Sequence, residues 1–243
     1  ATGTNNSVVV IDGGILNAAQ TNIVISGTNN VLNIGDGGTL KTTDWDASIA
    51  DENIVFDAGS SLELGGSYLG TDRLDEAYEL VLDGSNAQWN SGTNYIGYAE
   101  NDNTLTVQNG GLATASTDLF VGYNGKTTGN EVKSSGTGSL IDVGNDLIIG
   151  RNGSSNNQLT IEEGGQVAVG DNLTIGSASG SNNGLISGLS NSVSTLTIGN
   201  KLRIGTGADG NGNTLTISSN ATVTVSGITT IGSDADNNLM EIT

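Results

Sequence analysis

The sequence predicts an all-β chain: a single right-handed parallel β-helix, or β-solenoid, with three short strands per turn and about nine rungs. Three observations carry this. An aliphatic residue followed by glycine closes a strand at Ile96-Gly97, Val121-Gly122, Ile149-Gly150, Ile175-Gly176, Ile204-Gly205 and Ile231-Gly232, with Leu69-Gly70 as a looser first copy. The glycines stand 27, 25, 28, 26, 29 and 27 residues apart. A period in this range marks stacked units that bury their cores only against their neighbours. Between glycines the chain makes three runs of period-two alternation. Finally, 38 glycines and no proline suit a backbone whose groups must pair above and below in every rung.

The opening rungs are the least regular. Residues 8–11, 15–16, 23–25, 31–34 and 39–40 read as strands of two rungs. Residues 44–52 and 71–79 read as charged excursions, the second with one helical turn capped by Thr71 or Asp72. Residues 159–176 are the clearest copy of the repeat. There Leu159-Thr160-Ile161, Val167-Ala168-Val169 and Leu173-Thr174-Ile175 alternate in and out, separated by glycine and acidic turn residues. This register puts Leu159, Ile161, Val167, Val169, Leu173 and Ile175 in the interior. First strands read as opening at Leu80, Leu105, Val132, Leu159, Leu185, Leu215 and Leu239, and the longest copy carries its extra residues at 188–194. No linker or composition break appears. Residues 1–243 therefore form one domain, with 1–53 as opening rungs and 54–243 as the regular repeat.

A second register supports the coil. Asn103, Asn130, Asn157, Asn183, Asn213 and Asn237 each stand two residues before the aliphatic residue that opens a first strand, and Asn30 stands likewise before Leu32. Asparagine tolerates left-handed turns, and stacked side-chain amides bond from rung to rung. A structural asparagine ladder is expected at these positions.

Composition narrows the function classes. Seven basic against 26 acidic residues give a net charge of −19, a field that repels phosphate backbones and anionic lipid, so nucleic acid is a poor partner. With no cysteine there is no disulfide framework and no thiol chemistry. No apolar run reaches the ~18 residues of a membrane span.

The patterns "LTIEEGGQVAVGDNLTIG" (159–176), "LTVQNGGLATASTDLFVG" (105–122) and "LTISSNATVTVSGITTIG" (215–232) resemble the β-strand repeat of type V secretion (autotransporter-like) passengers and anchor-sorted surface proteins of Gram-negative bacteria. The likeness covers roughly residues 54–243. It implies an extracellular or cell-surface rod, often cut from a longer chain, and it carries over no catalytic residue.

Parallel β-helices also include polysaccharide lyases and hydrolases, so a glycan-binding or glycan-degrading protein is the rival reading. Such enzymes need a cationic base with charge-neutralising groups, or a carboxylate pair on one face. Histidine is absent, and the carboxylate groups Glu162/Glu163, Asp44/Asp46 and Asp72/Asp75/Glu76 all fall in segments that read as solvated loops. No catalytic residue and no cofactor is assigned. Calcium is the one cation the loops suit: Asp209, Asn211 and Asn213, then Asp234, Asp236 and Asn238, place alternate side-chain oxygens in the same inter-rung loop of consecutive turns. The glycine and distant glutamate of an EF-hand do not follow them. Outward threonines are interrupted by other residue types, so no ice-binding lattice forms. A contact patch is expected where Tyr95, Phe120 and Ile148 stack outside the coil, with Tyr98 and Tyr123 after the closing glycines. The patch would serve a glycan, a host or neighbouring cell surface, or a protein. The chain opens with few residues before its first strand and stops inside a new one, at 239–243. Either it belongs to a longer rod or identical chains stack end to end as a filament. The expected function is that of a non-enzymatic extracellular structural or adhesive rod.

Overall fold

The computed structural model describes residues 7–18, 23–25, 31–35, 38–47, 53–56, 61–69 and 79–243. The described chain is all β and coils into about nine turns. The first turn holds β1 (Ser7–Val10), β2 (Ile15–Ala18) and β3 (Ile23–Ile25). The second holds β4 (Val31–Ile34) and β5 (Thr39–Ala47), the third β6 (Asn53–Phe56) and β7 (Ser61–Leu69). The fourth is β8 (Glu79–Asp83), β9 (Gln88–Ser91) and β10 (Asn94–Ile96), and the fifth β11 (Thr104–Gln108), β12 (Leu112–Ala115) and β13 (Leu119–Val121). Next come β14 (Glu131–Ser135), β15 (Leu140–Val143) and β16 (Leu147–Arg151), then β17 (Gln158–Glu162), β18 (Gln166–Val169) and β19 (Leu173–Ser177). The last full turns are β20 (Asn183–Ser187), β21 (Ser194–Ile198) and β22 (Leu202–Thr206), and β23 (Thr214–Ser218), β24 (Ala221–Val225) and β25 (Thr229–Ser233). A final strand, β26 (Leu239–Ile242), opens one more.

First strands pair in parallel into a ten-stranded face, β1-β4-β6-β8-β11-β14-β17-β20-β23-β26. Second and third strands form two further faces from the fourth turn onward. In the second and third turns they run together as the nine-residue strands β5 and β7, and β7 pairs with both β9 and β10. The expectation for residues 44–52 is corrected here: Asp44–Ala47 belong to β5, held by pairing with β3 and β7, while 48–52 lie outside the described residues. The helical turn expected near Thr71, the carboxylates Asp72, Asp75 and Glu76, and Asn30 and Gly70 also lie outside them.

The interior follows from period two and in-register stacking. All six interior residues expected in 159–176 are at most 3% exposed. One third-face column runs Ile96, Val121, Ile149, Ile175, Ile204 and Ile231. Side-chain volume is traded along a column: Trp89, 1% exposed, is in register with Ala113. Large beside small is how stacked layers interdigitate without voids.

The register corrects two strand openings. Leu185 pairs with Thr160 and Thr216, and Leu239 with Thr214, so both point outward. The inward places belong to Gly184, between Leu159 and Leu215, and to Met240, beside Leu215. A Cβ on Gly184 would stand 2.7 Å from the Leu215 Cδ1, so the neighbouring leucine fills the space that the glycine leaves. The extra residues of this turn form the 188–193 loop, where Leu189 and Ser192 exchange backbone hydrogen bonds of 2.9 and 3.1 Å.

Candidate functional site

The asparagine ladder runs through the turn before each first strand. Asn103, Asn130, Asn157, Asn182 and Asn213 are fully buried there. Each donates both its backbone N–H and its side-chain Nδ2 to the Oδ1 of the next: Asn103 to Asn130 (3.0 and 2.9 Å), Asn130 to Asn157 (3.2 and 3.0 Å), Asn157 to Asn182 (3.0 and 3.0 Å), Asn182 to Asn213 (2.9 and 3.0 Å), and Asn213 to Asn238 (2.9 and 3.1 Å). An amide serves because it sets two N–H donors beside a separate carbonyl acceptor with two lone pairs in one short side chain.

Two expected members are corrected. Asn183 is exposed at the start of β20, where its Oδ1 accepts the Thr214 hydroxyl at 2.6 Å. Asn237 is exposed with φ 56°. Their neighbours Asn182 and Asn238 hold the ladder places. The two-residue offset is right, but outward Leu185 and Leu239 mislead it, since inward Gly184 and Met240 are the true openings. Sequence reasoning also missed the hydroxyls that brace the ladder: Asn157 Nδ2 donates to Ser154 Oγ at 3.2 Å, and Asn182 Nδ2 to Ser179 Oγ at 3.1 Å. The signal was present as a serine three residues before each asparagine.

The ladder also explains the repeated glycine. Gly97, Gly122, Gly150, Gly176 and Gly205 have φ between +71° and +80°. A Cβ on any of them would lie 2.1–2.4 Å from the side chain of Asn130, Asn157, Asn182, Asn213 or Asn238 respectively. Glycine is needed twice over, for left-handed backbone and for space.

Outside the third face, two columns run along the axis. Tyr95, Phe120 and Ile148 are in register as expected. The rings close on one another. Tyr95 stacks on Phe120 at 5.0 Å and Tyr98 on Tyr123 at 5.2 Å, while Tyr95 and Tyr123 meet edge to face at 4.8 Å. The Arg151 guanidinium lies 4.8 Å from the Tyr123 centroid and 5.4 Å from Phe120. Each ring thus gives a face to a neighbour, which favours a quadrupole-matched cluster over an open platform. Phe120 is buried at 7% exposure; the three tyrosines and Ile148 are half-buried.

Beyond the cluster the same columns become polar and bound a shallow groove of about 390 Å³. Thr174, Ser177, Thr206, Thr230 and Ser233 supply hydroxyls, Arg203 a cation and Asp146 a carboxylate, with Ile148 at the aromatic end.

Three of the six calcium candidates, the asparagines, hold other hydrogen bonds. Asn213 and Asn238 give Oδ1 to two ladder donors each, and Asn211 Oδ1 accepts the Asp236 N–H at 2.5 Å. Asp209, Asp234 and Asp236 are exposed. Among the described residues no group of three or more His, Cys, Asp or Glu converges on one point. On the first face, Glu162 forms an ion pair with Lys133 at 2.5 Å, and Glu163 accepts the Ser135 hydroxyl at 3.3 Å. The hydrogen bond and charge of Glu162, aided by Glu131 and Glu163 and opposed by burial, hold Lys133 above the usual lysine range. Compared with known proteins, the chain matches no family model, no curated protein and no solved structure.

Proposed function

We propose that this protein is a non-enzymatic structural or adhesive rod of the extracellular space or cell surface. The observation that carries the reading is the buried ladder from Asn103 to Asn238, which ties successive turns together along the axis. Each rung repeats one set of contacts, so added turns extend length and stiffness rather than a central core. With rungs ~4.8 Å apart, about nine turns make a rod of roughly 43 Å. The acidic surface keeps neighbouring rods apart. The resemblance to passenger repeats agrees with this role and with a bacterial surface as its setting, in a longer chain or an end-stacked filament.

A glycan-degrading β-helix is the competing reading. Incubation with acidic and neutral polysaccharides separates the two: the rod reading expects every polymer to keep its length, and turnover at an ordinary enzymatic rate refutes it.

A further inference from the structure

We propose that the third-face groove binds a neutral, linear glycan lying along the rod axis. This rests on the rod reading and adds a ligand class to it. The lining is locally balanced, with one guanidinium, Arg203, and one carboxylate, Asp146. The rest of its polar surface is hydroxyl. Hydroxyls both donate and accept, as sugar hydroxyls do, so the groove offers matched partners without selecting a charge. The surrounding field of a −19 chain disfavours a polyanion.

Geometry narrows the ligand further. Of the groove's strands, β16, β19 and β22 pair on both sides within the sheet and offer an extended peptide no backbone edge, while β25, which carries Thr230 and Ser233, is the sheet's terminal strand. Over the first three strands recognition must come from side chains. Thr174 and Ser177, Arg203 and Thr206, and Thr230 and Ser233 recur as pairs on successive rungs, a ladder at ~4.8 Å steps that suits a polymer of repeating hydroxylated units. Ile148, beside Phe120 in register, supplies an apolar end for a pyranose C–H face.

The test is affinity electrophoresis of the whole chain in gels containing mannan, xylan or a β-glucan, with polygalacturonate and heparin as acidic probes. Arg203→Ala and Ser177→Trp alter the groove, and Thr197→Trp alters an exposed site on the second face. Circular dichroism verifies folding of each variant. The expected result is retardation by at least one neutral polymer, at least tenfold weaker in either folded groove variant and unchanged in Thr197→Trp. No retardation by a neutral polymer, stronger retardation by an acidic one, or equal effects of groove and control substitutions overturns the proposal. Shortening of a polymer would instead refute the rod reading, so the two failures are distinguishable.

Discussion

Asn157 shows what one residue does in this coil. Its Oδ1 receives the backbone N–H and Nδ2 of Asn130 in a fully buried position. Asn157→Ala leaves those two buried donors without that acceptor, at about 1–3 kcal/mol each. A total loss of about 2–6 kcal/mol is expected in chemical denaturation. The closing glycines allow a paired measurement. Gly176→Ala meets a φ of +80° and an Asn213 side chain 2.1 Å from the new Cβ, whereas Gly212→Ala meets a similar φ of +69° with nothing nearer than 3.9 Å. Gly212→Ala should cost only the left-handed penalty of about 1–2 kcal/mol. Gly176→Ala should cost clearly more, and equal melting temperatures would mean that the glycine–asparagine packing contributes nothing.

At the scale of the strand, the inner and outer columns respond differently to charge. Ile175 is fully buried in β19. Ile175→Asp puts an unpaired carboxylate among aliphatic neighbours and should abolish cooperative melting, while Thr197→Asp, at the exposed position of β21, should melt within a few degrees of the parent. Across the first face, Lys133 on β14 pairs with Glu162 on β17. Its raised pKa fixes the sign: the unfolded lysine titrates near 10.5, so the contribution is fully present below that pH and is lost as pH rises through the higher folded value. For so exposed a pair the contribution is at most about 1 kcal/mol. Lys133→Met should therefore narrow its stability gap from the parent as pH is taken from 8 to above 11, on the order of that amount in urea melts.

For the whole molecule, a net charge of −19 against seven cations makes self-repulsion a general load on the coil. Raising salt from about 0.01 to 1 M shrinks the Debye length from about 30 to 3 Å. The melting temperature should rise over that range; a fall would mean that specific ion pairs outweigh the net repulsion. The acidic surface leaves the near-neutral groove as a local departure from the general field.

Period and alternation were legible because in-register stacking repeats the same demand at each turn: aliphatics inside, glycine where the chain must turn left. That sufficed for the parallel coil, the Ile175 column and the Tyr95–Phe120–Ile148 alignment. The sequence alone could not say which of two adjacent residues faces inward where an outer aliphatic imitates a core one. At Leu185 and Leu239 only pairing with Thr160 and Thr214 decided it, and with it the ladder places of Asn182 and Asn238. Nor could it show that the aromatic rings spend their faces on one another, or that Thr174, Arg203 and Thr230 border a groove. Those outcomes depend on side-chain directions between turns some 25 residues apart, a distance that periodicity spans and local pattern does not.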